Sequence, residues 1–263
     1  MNIIRGHETD FYALPSDGKV PKWVERMSKF RSPYHMRQYW ENVKDFETEE
    51  DFFPAKTFRA AADWLEKYAE RGPFFLQVEN FDVHEPYASM YTEEIEGNKD
   101  DYSIWPPYQI YADLDAFMAK TTPEELAYLK SQYYGKTTMA DKWIGLFLDK
   151  ITEKGLWDDT LVIFTTDHGH DLGERGAFGK QFPHYDSHAN IPLIVWDPRN
   201  PGAGQRSAAL TQMVDLFSTI IEATGGTPPE ATRHSRTFMP VIEGHSETQR
   251  DAVTYGTLAK GFA

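Results

Sequence analysis

Leu161-Val162-Ile163-Phe164-Thr165-Thr166-Asp167-His168-Gly169-His170-Asp171-Leu172-Gly173-Glu174-Arg175-Gly176, followed by Gly179-Lys180, is the stretch from which the architecture is read. Its opening run of apolar and β-branched residues reads as a strand. The strand delivers an acidic residue and a histidine into a glycine-rich turn, which is how an α/β sheet presents ligands at the carboxyl end of a strand. Asp167 offers a hard carboxylate oxygen and His168 an imidazole nitrogen, a donor set that suits a divalent cation. Gly169 is expected to let the backbone turn sharply enough for both side chains to reach one ion. Two ligands hold a metal weakly, so further carboxylates must come from elsewhere. The plainer alternative makes Asp167 a helix cap and His168 a buried histidine.

Working outward, helical spacing of Phe58, Ala61, Ala62, Trp64, Leu65 and Tyr68 predicts a helix from about Ala55 to Arg71, stopped by Gly72-Pro73. A strand is expected at Phe74 to Glu79. Residues 88–120, rich in Tyr, Asp and Pro, read as a long inserted surface loop. Pro123 at the first helical position, with Glu124-Glu125 in the first turn, opens a helix running to about Lys154 and ended by Gly155. A strand at Ile191 to Trp196 and a helix at Thr211 to Thr224 complete an alternation typical of an α/β sheet with helices on its faces. Asp171 and Glu174 are expected to cap and charge a helix start after the turn.

Composition sets bounds on partners. With 40% hydrophobic and 14% aromatic residues, the 263-residue chain has the material for a sizeable core. A net charge of −14 offers no basic face for a phosphate backbone, so no nucleic-acid partner is expected. No apolar run approaches membrane-spanning length, and no membrane partner is expected either. The absence of cysteine excludes disulfides and leaves the compartment open.

The pattern Thr-Asp-His-Gly-x-x-Leu-Gly-Glu-x-Gly-x-x-Gly-Lys, followed by Ile191-Pro192-Leu193-Ile194-Val195, resembles the second signature block of the sulfatases, members of the alkaline phosphatase superfamily. Weaker matches occur in the family's order. Arg5-Gly6-His7-Glu8 is similar to an upstream Arg-Gly-Gln-Glu segment, and Asp82-Val83-His84-Glu85-Pro86-Tyr87 to a strand ending in His-x-Pro. Val214-Asp215-Leu216-Phe217-Ser218-Thr219 resembles an Asp-Leu-x-Pro-Thr helix, and Met239-Pro240-Val241-Ile242-Glu243-Gly244 a Leu-x-Pro-Leu-Leu-x-Gly element. The fold implied is α/β, an alkaline phosphatase-like mixed sheet sandwiched between helices and incomplete at its N-terminus. Residues 1–245 would form the partial catalytic domain and residues 246–263 the start of a C-terminal subdomain.

The resemblance also implies a chemistry. Asp167 and His168 match metal ligands, with Ca2+ the expected ion and Mn2+ or Mg2+ admitted by the same donors. His84 matches the histidine that contacts the sulfate and the leaving-group oxygen, and Lys180 the lysine that binds sulfate. His170 is read as a variable position, and His184 and His188 as pocket lining. The reaction implied is hydrolysis of a small-molecule sulfate ester by a formylglycine nucleophile made from Cys or Ser in Cys/Ser-x-Pro-x-Arg. No such motif is found: Ser32-Pro33 with Arg37 has the wrong spacing and follows the Arg-Gly-His-Glu segment. Nor does an Asp-Asp pair end an early strand, since Asp100-Asp101 and Asp158-Asp159 lie in polar turns. The chain is therefore expected to be the central and later part of a catalytic domain, inactive alone. It would associate with itself or with a complementary N-terminal segment, through exposed sheet edge and apolar surface. Two alternatives stay open: a phosphonate monoester or phosphodiester hydrolase of the same superfamily, and a non-catalytic fragment or half of a split enzyme.

Overall fold

The computed structural model describes residues 2–6, 42–43, 45–84, 122–176, 178–180, 185–200, 204–230 and 234–255. The expectations for His7-Glu8, Ser32-Pro33 with Arg37, Glu85 to Tyr87, the 88–120 insertion with Asp100-Asp101, and His184 lie outside these residues. Two units are distinguished, Met1–Gly155 with Leu172–Phe178 and Leu156–Asp171 with Gly179–Ala263.

In the first unit, strand β1 (Asn2–Gly6) is followed by helix α1 (Phe53–Tyr68) and strand β2 (Leu76–Asn80). β1 and β2 pair in parallel, Asn2 opposite Leu76 through Gly6 opposite Asn80. A parallel pair needs a crossover, and α1 packs against both strands. Pro54 sits in the first turn of α1, where a missing N–H costs nothing, and Phe58, Ala61 and Leu65 are buried at helical spacing. Helix α2 (Pro123–Glu153) begins at its proline, and Gly155, with φ 64°, ends it in the left-handed conformation that favours glycine.

The two helices share a core of Ala55 and Phe58 from α1 with Met139 and Trp143 from α2, flanked by Val78 of β2. Glu49 closes one end of this core, accepting from the Trp143 Nε1–H at 2.7 Å and from the Lys142 Nζ at 3.0 Å. Glu49→Ala is expected to lower the unfolding free energy by about 1–3 kcal/mol, because the part-buried indole N–H loses its acceptor. The denaturant midpoint of the variant checks this.

The second unit opens with strand β3 (Val162–Thr165). Two-residue strands β4 (Asp171–Leu172) and β5 (Phe178–Gly179) pair across a turn that is counted with the first unit and in which Gly173 and Gly176 have positive φ. Then come helix α3 (Asp186–Ala189), strand β6 (Leu193–Trp196), helix α4 (Asp215–Ala223) and helix α5 (Met239–Ile242). β3 and β6 are antiparallel, Val162 opposite Trp196 through Thr165 opposite Leu193. The Trp196 indole donates to the Trp157 carbonyl at 2.9 Å and its ring meets that of Trp157 edge-on. Phe164 and Ile194 face each other across the ladder and are both exposed.

Asp215, at the first position of α4, is fully buried and organises the later part of this unit. It accepts the backbone N–H of Gln212 and of Arg236, each at 2.8 Å, and is bound at both oxygens by the Arg250 guanidinium. Residues beyond Ser246, where the resemblance places the start of a further subdomain, are thus tied to α4. The Gln212 side-chain amide adds a second tie, donating to the Thr254 carbonyl at 2.7 Å.

Candidate active site at the signature turn

Strand β3 ends at Thr165, and the turn that follows carries the two expected ligands. Asp167 Oδ1 accepts the His168 backbone N–H at 2.9 Å, which leaves Oδ2 facing the imidazole. Oδ2 and His168 Nε2 are 3.5 Å apart, on side chains 81% and 44% exposed. The other ring nitrogen, Nδ1, lies 2.9 Å from the Gly169 carbonyl. A carbonyl oxygen only accepts, so Nδ1 carries a proton, and in the neutral ring Nε2 presents a lone pair. Two lone pairs then confront each other, an arrangement satisfied by a proton or a metal ion between them.

The bite fits a metal. Ligands at right angles about 2.3 Å from a cation stand about 3.2 Å apart, near the 3.5 Å found here. Among the described residues no third His, Cys, Asp or Glu joins the pair. Asp167 and His168 therefore stand as an isolated pair of donors among the described residues, open to solvent.

The requirement for Gly169 proves different from the one expected. Its φ is not positive; what it permits is close approach, because a β-carbon there would lie 1.9 Å from the Ser187 backbone oxygen. Its N–H donates to the His188 carbonyl at 2.9 Å, so α3 is seated directly on the ligand turn. Gly169→Ala has no side-chain rotation that relieves the clash and must displace α3. Overpacking costs of about 1–3 kcal/mol or more are expected, together with weakened metal binding, read by thermal melts and calorimetric titration of the same variant.

Two residues read otherwise from sequence now take part in this support. Asp171 is not a helix cap: it lies in β4, 1% exposed, and accepts from the Ser187 hydroxyl at 2.5 Å. Its second oxygen is 3.6 Å from His188 Nε2. His188 does not line an open pocket, being 5% exposed, and its Nε2–H donates to the Gly179 carbonyl at 2.9 Å. Thus His188 holds the turn at Gly169 through its backbone carbonyl and β5 at Gly179 through its ring. No short-range pattern marks such a contact; only the density of histidines points towards it.

Glu174 does begin a helical turn, Glu174–Gly176, and accepts from the Leu172 N–H at 2.5 Å. Burial pushes its carboxyl up, but backbone N–H donors and nearby Lys130 and Arg175 hold it below the ordinary range. His170 Nδ1 lies 2.7 Å from the Asp171 carbonyl, a local contact. Lys180 is half-buried and follows Gly179, whose φ of 97° favours glycine over any residue with a β-carbon. His84 belongs to the first unit, just past β2, half-buried with its ring 5.2 Å from that of Phe81.

Asp167 and His168 on the turn after β3, and Lys180 after Gly179, thus stand on an α/β scaffold. Comparison with known proteins is specific: the sulfatase family model matches residues 8–226. The chain belongs to the sulfatase family and has an alkaline phosphatase-like fold. It is 35% identical over 133 residues to the multifunctional alkaline phosphatase superfamily protein PehA of Trinickia caryophylli, covering 50% of this chain and 26% of that protein. It is 24% identical over 260 residues to an arylsulfatase of Clostridium perfringens, covering 95% of this chain and 50% of the relative. Among solved structures, the phosphonate monoester hydrolase of Silicibacter pomeroyi superposes with a TM-score of 0.58 at 26% identity, covering 75% of this chain and 42% of that one. The chain thus spans between about a quarter and a half of the length of these curated relatives.

Proposed function

We propose that the protein takes part in metal-dependent hydrolysis of sulfuric esters of small molecules. The observation that carries this reading is the convergence of Asp167 Oδ2 and His168 Nε2, 3.5 Å apart at the end of β3. These two residues would hold the cation, Ca2+ first and Mn2+ or Mg2+ by the same donors. A bound divalent ion supplies positive charge that lowers the cost of negative charge developing on the ester oxygens. Lys180 binds the sulfate group, its ammonium offsetting charge on the transferring oxygens. His84 is the proton donor: as a nucleophile from outside these residues bonds to sulfur and the sulfur–oxygen bond to the leaving group breaks, the leaving oxygen takes the imidazolium proton and departs as an alcohol or phenol. None of the four acts as the nucleophile.

A second reading is favoured by a specific likeness. One relative, at 35% identity, is the multifunctional PehA, and a solved neighbour at 26% identity is a phosphonate monoester hydrolase. Hydrolysis of phosphonate monoesters needs the same kinds of group: a cation, a lysine for the anionic oxygens and a proton donor.

One assay separates these. The purified chain is given p-nitrophenyl sulfate and a phenyl phosphonate ester with calcium or manganese, beside Asp167→Ala. Sulfate turnover lost in the variant supports the first reading, and turnover of the phosphonate alone transfers the assignment to the second. Failure on both esters in both metals overturns both readings for the chain acting by itself and agrees with the expectation that a segment outside it supplies the nucleophile.

A further inference from the structure

Asp82, Val83 and His84 follow β2 in the first unit, and each is held by different surroundings. The Asp82 carboxylate and the Lys136 ammonium of α2 form an ion pair, Oδ1 to Nζ 2.5 Å, with side chains 0% and 2% exposed. The same Nζ donates to the His84 backbone carbonyl at 3.0 Å. Val83 packs against the buried Phe178, as do Leu126, Tyr133 and Leu172. Behind them, the Asn80 side-chain amide donates to the Asp82 carbonyl at 2.9 Å.

Burying a lysine with an aspartate is costly, and apolar residues of the same volume are often at least as stable. Fold stability is therefore a poor account of the pair. What an apolar replacement cannot do is donate a hydrogen bond to the His84 carbonyl. We propose that Lys136 is a positioning residue, its ammonium oriented by Asp82, that fixes the backbone at His84 and so the direction in which the imidazole is presented. The proposal rests on the reading of His84 as proton donor, and deepens it: a displacement of about 1 Å at a proton-transferring group can cost about 100-fold in rate.

The test compares the full chain with Lys136→Met and with the double variant Lys136→Met/Asp82→Leu. The single variant leaves a buried carboxylate uncompensated and is expected to melt at lower temperature. The double variant removes both charges and is expected to regain the wild-type Tm. The first readout is isotope-edited NMR of the histidine rings, with the His84 cross-peak identified as the one lost in His84→Asn. That cross-peak is expected to move or broaden in the refolded double variant; an unmoved cross-peak overturns the proposal. The second readout is turnover of p-nitrophenyl sulfate, where kcat of the double variant is expected to fall about 100-fold with KM little changed. Recovery of kcat together with Tm overturns it. Should the wild-type chain hydrolyse no ester by itself, the NMR comparison alone decides whether Lys136 sets His84.

Discussion

Replacing Asp167 with alanine is expected to abolish divalent-metal binding at the signature turn and to lower ester hydrolysis by about two orders of magnitude or more. The local hydrogen bonding orients the carboxylate for coordination, since Oδ1 is taken by the His168 N–H and Oδ2 alone is presented to the ring. Without it, His168 is a single ligand on an exposed turn, and one imidazole binds a hard cation poorly. Calorimetric titration with calcium and manganese measures the loss directly and needs no turnover. A variant that binds either ion with wild-type affinity would place the metal elsewhere and sink the assignment.

The second large effect concerns stability. Asp215→Asn is expected to cost about 3–5 kcal/mol, because it leaves the Arg250 guanidinium, with a side chain 9% exposed, without its counter-charge. Burial pushes the Asp215 carboxyl up, yet the Arg250 guanidinium and the N–H groups of Arg236 and Gln212 outweigh burial and hold it below the ordinary 3.8. A carboxyl depressed in the folded state stabilises fully above its unfolded value and ceases to do so as the pH falls through the folded one. Acid unfolding of the wild type should therefore include a component below about pH 3.8 that Asp215→Asn lacks. Equal slopes of stability against pH in the two proteins would assign the acid-labile charge to another group. The Asp215 network is also why residues 249–250 belong energetically with α4.

Local chemistry makes several parts of this protein readable from the residues alone. Helices α1 and α2 follow from the recurrence of Phe58, Ala61 and Leu65 and from Pro123 and Gly155, whose effects on the backbone are exerted within a turn. The Asp167-His168 pair is legible because adjacent residues on one tight turn share a direction whatever the rest of the chain does.

What tertiary structure decided are the contacts whose partners lie far apart along the chain. The antiparallel register of β3 with β6 depends on a pairing no periodicity specifies. Gly169 is needed because α3 arrives against it, so its reason lies in Ser187 and not in its own turn. Asp171, Asp82 and Lys136 look like surface charges in sequence and are buried, each beside a group of opposite or complementary polarity brought by another element. A charge can be withdrawn from water only when its partner is delivered to it, and delivery of that kind is a property of the folded chain.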